Sequence, residues 1–175
     1  MTTTGPESGL IVEIPQAESV VGPYRERLDA SAALGVPAHI TVLYPFIPPG
    51  QLDAGVLSQL GQLFAAVPRF GFRLDRTDWF GHDVVWLAPS DPGPFQALTQ
   101  HVVEAFPAYP PYGGDFADSV PHLTIADRPS AGGLRDAEES IAPLLPVIGE
   151  ATAVTLMTQQ IPGGPYSRAA TFPLA

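Results

Sequence analysis

The sequence predicts an α+β fold built from antiparallel sheets, and three observations carry that expectation. Short apolar runs of strand length alternate with stretches of helical periodicity along the whole chain. Two pairs of consecutive strand-like runs, 70–77 with 84–88 and 151–159 with 169–174, have connections too short for a parallel crossover. The frame His, apolar, Thr, apolar occurs twice, at His39-Ile40-Thr41-Val42 and His122-Leu123-Thr124-Ile125, each copy flanked by helical stretches. That is a crude two-fold repeat. Two such units side by side would set the two His-x-Thr motifs across a central cleft.

The elements follow in order. A tail over 1–8 precedes a single folded unit over 9–175. Leu10–Ile14 reads as a strand closed by Pro15. Val21, Tyr24, Leu28 and Ala32 have helical spacing within 17–34, and Gly35 with Pro37 supplies a stop. The first motif strand spans 38–44. Pro45 to Gly50 is a rigid loop, and Val56, Leu60, Leu63 and Val67 mark a helix near 52–66. The strands at 70–77 and 84–88 turn around Phe80-Gly81-His82-Asp83. Phe95, Leu98, Val102 and Phe106 form one stripe of a helix at 94–106. A Pro- and Gly-rich loop leads to the second motif strand at 119–126. A helix at 134–145, a strand at 151–159 and a closing strand at 169–174 complete the chain.

Composition narrows the function. The chain has 175 residues, 45% of them hydrophobic, so a core is available. No run is long enough to cross a membrane, and the first residues lack the basic and apolar regions of a signal peptide. The absence of cysteine removes disulfides, thiolate catalysis and Cys-based zinc sites. A cytoplasmic monomer is the expectation. Eight Lys and Arg against 18 Asp and Glu leave a net charge of −10. A long nucleic acid is held mainly by cations on its phosphates, so it is disfavoured. A small phosphorylated nucleotide or a short oligonucleotide fits an acidic protein with a local pocket.

In a strand, alternate side chains share a face. His39 and Thr41 therefore point one way while Ile40 and Val42 point to the core, and His122 and Thr124 repeat the arrangement. An imidazole titrates near neutrality and can either give or take a proton. A threonine hydroxyl can donate to a phosphate oxygen. His39 and His122 are the catalytic candidates; Thr41 and Thr124 are the substrate-binding candidates. A lone strand histidine is more often satisfied by a local hydrogen bond, but two in matched frames favour function. His82 in a turn and His101 on a helix are assigned surface or structural roles. Tyr44 falls opposite His39 by strict alternation, so packing is expected of it. Trp79, Phe80 and Trp86 are read as core, and Asp115, Asp118, Glu138 and Glu139 as solvated charges. Arg168 and Tyr166 are secondary candidates. No His pair has metal-ligand spacing, and no phosphate loop or dinucleotide fingerprint is present, so neither metal nor cofactor is expected.

The segment Gly35-Val36-Pro37-Ala38-His39-Ile40-Thr41-Val42-Leu43-Tyr44-Pro45-Phe46, with Val120-Pro121-His122-Leu123-Thr124-Ile125-Ala126, resembles the two-histidine phosphoesterase superfamily. It is most similar to the bacterial proteins called 2′-5′ RNA ligase-like. The resemblance implies a bilobed fold with pseudo-two-fold symmetry. It also implies metal-independent opening of a 2′,3′-cyclic phosphate or cleavage of a 2′-5′ linkage, with His39 as proton donor and His122 as acceptor. Many relatives keep an Arg soon after the second motif. Here Ala126 and Asp127 precede Arg128, the candidate phosphate cation, and Tyr112 is a candidate base-stacking residue. Two alternatives stay open: a non-catalytic nucleotide- or RNA-binding module, and a 2′-5′ RNA ligase or nuclease on longer RNA.

Overall fold

A computed structural model describes residues 5–115 and 119–175. The expected Asp118 charge lies outside the described residues, as does the start of the tail. Among the described residues eight strands form two four-stranded antiparallel sheets. β1 (Glu7–Glu13), β2 (His39–Leu43), β7 (Ala153–Gln159) and β8 (Tyr166–Pro173) build the first, in the order β2-β1-β7-β8. β3 (Phe70–Phe80), β4 (Val84–Pro89), β5 (Leu123–Ala126) and β6 (Val147–Ala151) build the second, in the order β5-β4-β3-β6. Each motif strand is thus an edge strand, and each pairs with a strand that precedes it across a helix. β2 and β5 pack against one another where the sheets meet.

The helices are α1 (Glu18–Leu28), α2 (Ala30–Ala33), α3 (Ala54–Ala65), α4 (Gly93–Ala105) and α5 (Leu134–Ile141). α1 connects two strands of the first sheet yet packs on β5 of the second. α4 connects two strands of the second sheet and packs on β2 of the first. The exchange binds the halves through one apolar core, which runs from Leu10, Ile40 and Leu156 to Leu87, Leu123 and Ile125. Among the described residues no helix is long and apolar enough to cross a membrane.

Three elements differ from the sequence expectation. β1 begins at Glu7, so Glu7 and Ser8 belong to the sheet rather than to a tail ending at residue 8. The helix expected over 17–34 breaks at Asp29, which is extended (φ −115°, ψ 122°) and accepts from Ser31 N to cap α2. The strand expected over 151–159 is β7, and a further strand not expected from the sequence, β6, precedes it: β6 pairs with β3 and β7 with β1, so the chain changes sheets at Thr152. Gly149 in β6 allows a close approach, since a Cβ there would stand 2.5 Å from Phe72 Cζ.

Candidate active site

Burial along the motif strands follows the alternation. Ala38, Ile40 and Val42 are buried in the core, as are Leu123 and Ile125, while His39, Thr41, His122 and Thr124 are part-exposed on the opposite face. His122 lies one residue ahead of β5, which is shorter than the strand expected over 119–126.

The two imidazoles are held in the same way. His39 Nδ1 donates to Pro37 O at 2.7 Å, and His122 Nδ1 donates to Val120 O at 2.7 Å. A carbonyl can only accept, so the proton sits on Nδ1 and Nε2 is left as the unprotonated nitrogen of each neutral ring. Burial pushes the His39 imidazole down from 6.5 to about 4; the Pro37 carbonyl and the charge of Asp29 oppose this, and the charges of Arg25 and His122 add to it. Burial also lowers His122, against the pull of the Val120 carbonyl. The strands that carry or adjoin the two rings, β2 and β5, pack against one another.

Each histidine lines its own cavity. One, of about 310 Å³, is bounded by His39, Thr41, Tyr44, Met157, Tyr166 and Asp127. The other, of about 420 Å³, is bounded by Phe80, Tyr112, Val120, His122, Thr124 and Asp127. Asp127 is common to both, so the cavities adjoin there. Among the described residues neither is lined by a Lys or Arg. The Thr41 and Thr124 hydroxyls carry no protein hydrogen bond among the described residues, which leaves them available to a ligand. A third cavity, lined by Trp79, His82 and Arg135, contains neither motif.

The second cavity is aromatic. Phe80 stacks on Trp86 at 4.8 Å, and His122 meets both rings edge-on, at 4.9 and 5.7 Å. Phe80 is 38% exposed at the cavity wall and so is not the core residue the sequence suggests. Tyr112 lines the same cavity, and its N–H donates to Tyr44 O at 2.7 Å. In the first cavity Tyr166 Oη donates to Glu7, and burial with that carboxylate raises the phenol far above its ordinary value. Arg168 makes two 2.8 Å bonds to Glu13, the register partner of His39, and holds that carboxyl below its usual value.

Several assignments change with the geometry. Arg128 is exposed and lines neither cavity; the residue facing the cleft is its neighbour Asp127. Tyr44, expected to pack away from His39, lines the His39 cavity. Both shifts have one cause. The β1–β2 register steps from Ile11↔Thr41 to Leu10↔Leu43, and the β4–β5 register steps from Trp86↔Thr124 to Val85↔Ala126. One extra residue, Val42 or Ile125, bulges directly after each motif threonine and resets the alternation. The third residue beyond each threonine, Tyr44 or Asp127, then faces the cleft. Glu138 is no free surface charge, since Thr77 Oγ1 and Trp79 Nε1 donate to it at 2.7 and 2.9 Å. Among the described residues no group of three or more His, Asp or Glu is arranged to hold a metal ion.

Residues 12–160 match the pattern of the 2′-5′ RNA ligase superfamily. Among curated proteins no sequence matches the chain. Of solved structures, Escherichia coli LigT complexed with 3′-AMP is 18% identical with a TM-score of 0.64, covering 97% of this chain and 99% of its own. A structure described as a phosphoesterase is 19% identical with a TM-score of 0.63, over 98% and 99%. A Thermus thermophilus protein is 23% identical with a TM-score of 0.62, over 96% and 97%. At these identities the likeness is one of fold.

Proposed function

This chain belongs to the 2′-5′ RNA ligase superfamily, the two-histidine phosphoesterases, and from that membership and the cleft geometry we propose that it is a metal-independent phosphodiesterase. Its substrate is a small nucleotide bearing a 2′,3′-cyclic phosphate or a 2′-5′ linkage. The observation that carries the reading is the matched anchoring of His39 and His122 through Nδ1, each ring lining a cavity together with the threonine of its own motif. LigT, which shares the fold, is described in complex with 3′-AMP, NADP+ and ATP, in keeping with a small nucleotide ligand.

Hydrolysis needs one new P–O bond, from water, and one broken P–O bond, to a ribose oxygen. His122 Nε2 takes the water proton and His39 Nε2 gives a proton to the departing oxygen, with Thr41 and Thr124 donating to the non-bridging oxygens. Burial favours neutral imidazoles in the empty cleft, which suits the base. A phosphate anion between the rings favours the imidazolium and so creates the acid. Phe80 and Tyr112 offer faces for a base on the His122 side. The net charge of −10 supports a small substrate over long RNA.

The test is hydrolysis of 2′,3′-cyclic nucleotides in the presence of EDTA. His39→Ala and His122→Ala are each expected to lower kcat by about 10²–10⁴-fold, the usual contribution of a positioned acid or base. Activity that survives either substitution, or that disappears on chelation, overturns the mechanism.

A further inference from the structure

We propose that Asp127 is a specificity determinant of the cleft, whose carboxylate at the meeting of the two cavities admits singly charged phosphodiesters and rejects doubly charged phosphomonoesters. The inference rests on the reading of the cleft as a phosphodiester site and extends it to product release.

Three observations support it. Among the described residues Asp127 is the one common to the cavities of His39 and His122. Among the described residues no Lys or Arg lines either cavity, and the nearby Arg168 guanidinium is committed to Glu13 through two 2.8 Å bonds. Asp127 is also fixed in place: its N–H donates to Leu28 O at 2.8 Å and its Oδ1 accepts from Ala30 N at 2.9 Å. Among the described residues no other residue donates a hydrogen bond to Oδ2. The bulge at Ile125 is what turns this residue into the cleft.

Burial and the charge of Asp29 raise the Asp127 carboxyl above its ordinary value, while the Ala30 N–H and the charge of Arg128 act the other way. Asp29, at the α1–α2 junction, is already paired with Arg25 at 2.8 Å. Arg128 is adjacent in the chain but exposed. The remaining titratable groups are His39, Tyr44 and Tyr166 in one cavity and His122 and Tyr112 in the other. Opening a cyclic diester replaces a monoanion by a monoester whose second proton leaves near pH 6. Around neutral pH the product therefore gains a charge that the substrate lacks. A fixed carboxylate repels the dianion about twice as strongly as the monoanion, and so speeds product loss without the same penalty on substrate.

The test is calorimetric binding of 3′-AMP, a monoester, and of 3′,5′-cyclic AMP, a monoanionic diester, at pH about 8, where the monoester is dianionic. Asp127→Asn keeps an oxygen for Ala30 N and removes the charge. It should tighten 3′-AMP binding about tenfold and cyclic AMP binding about threefold, in line with the ratio of ligand charges. Equal gains for both ligands, or none, overturn the proposal while leaving the two-histidine chemistry untouched. The wild-type chain gives a second reading that does not depend on how the variant folds. Between pH about 5 and about 8 its affinity for 3′-AMP relative to cyclic AMP should fall, because both ligands meet the same histidines and only one gains a charge. A constant or rising ratio overturns the proposal. Binding of neither ligand overturns both it and the phosphodiester reading.

Discussion

At the scale of the residue, the cleft is defined by how two rings are oriented and discharged. A carbonyl two residues upstream fixes the tautomer of each histidine, and burial lowers both pKa values, His39 to about 4. The profile of kcat/KM against pH reports the free protein. The proposed mechanism needs one ring protonated and the other neutral, so its maximum lies between two values that are both below 6.5. The expected kcat/KM optimum is therefore acidic, and the kcat optimum lies at higher pH because bound phosphate stabilises the imidazolium. Stopped assays with a cyclic nucleotide between pH about 4 and about 9 check this against the ordinary imidazole range; a kcat/KM optimum at neutral or alkaline pH contradicts it. His39, Thr41, His122 and Thr124 were all legible in the sequence because a two-residue period dictates their common face. Asp127 and Tyr44 were not, because a bulge leaves no mark in a single sequence when the bulged residues, Val42 and Ile125, are as apolar as their neighbours.

At the scale of the element, the break between α1 and α2 supports the motif strand that follows. The Arg25 guanidinium bonds Asp29 Oδ2 at 2.8 Å, Val36 O at 3.2 Å and Ser31 Oγ at 3.3 Å. Asp29 Oδ1 accepts from both Ser31 N and Ser31 Oγ at 2.8 Å. The two charged residues are 2% and 1% exposed, so the pair is desolvated as a unit. Removing one member strands the other charge in the interior, and Arg25→Leu is expected to destabilise the fold by about 3–5 kcal/mol. Urea unfolding of the variant measures it; a loss near that of an exposed ion pair, under about 1 kcal/mol, contradicts the account. Helical periodicity in 17–34 concealed this node, because Arg25 and Asp29 at i,i+4 look like a surface pair within one continuous helix. The sheet change at Thr152 was equally hidden. β6 carries an exposed Ile148 and a glycine, which blur the alternation that would have separated it from β7.

At the scale of the whole molecule, the repeat of motifs correctly implied two similar halves, but not how they are joined. The sequence places α1 within the first half and α4 within the second. The fold lays each on the other half's motif strand, a long-range choice that no local pattern records. The consequence is cooperativity: neither sheet keeps its cover if the other unfolds. Both tryptophans, Trp79 on β3 and Trp86 on β4, report on the second sheet alone, whereas far-ultraviolet circular dichroism reports on the entire chain. In urea the two signals should give one midpoint, as a single two-state unit requires. Leu156 on β7 is fully buried in the first sheet's part of the shared core, so Leu156→Ala is expected to cost about 2–5 kcal/mol. If the helix exchange couples the halves, that substitution lowers the tryptophan midpoint as far as the circular dichroism midpoint, although both tryptophans sit on the opposite sheet. A tryptophan transition that stays at the wild-type midpoint while the dichroism signal moves would show that the halves unfold independently.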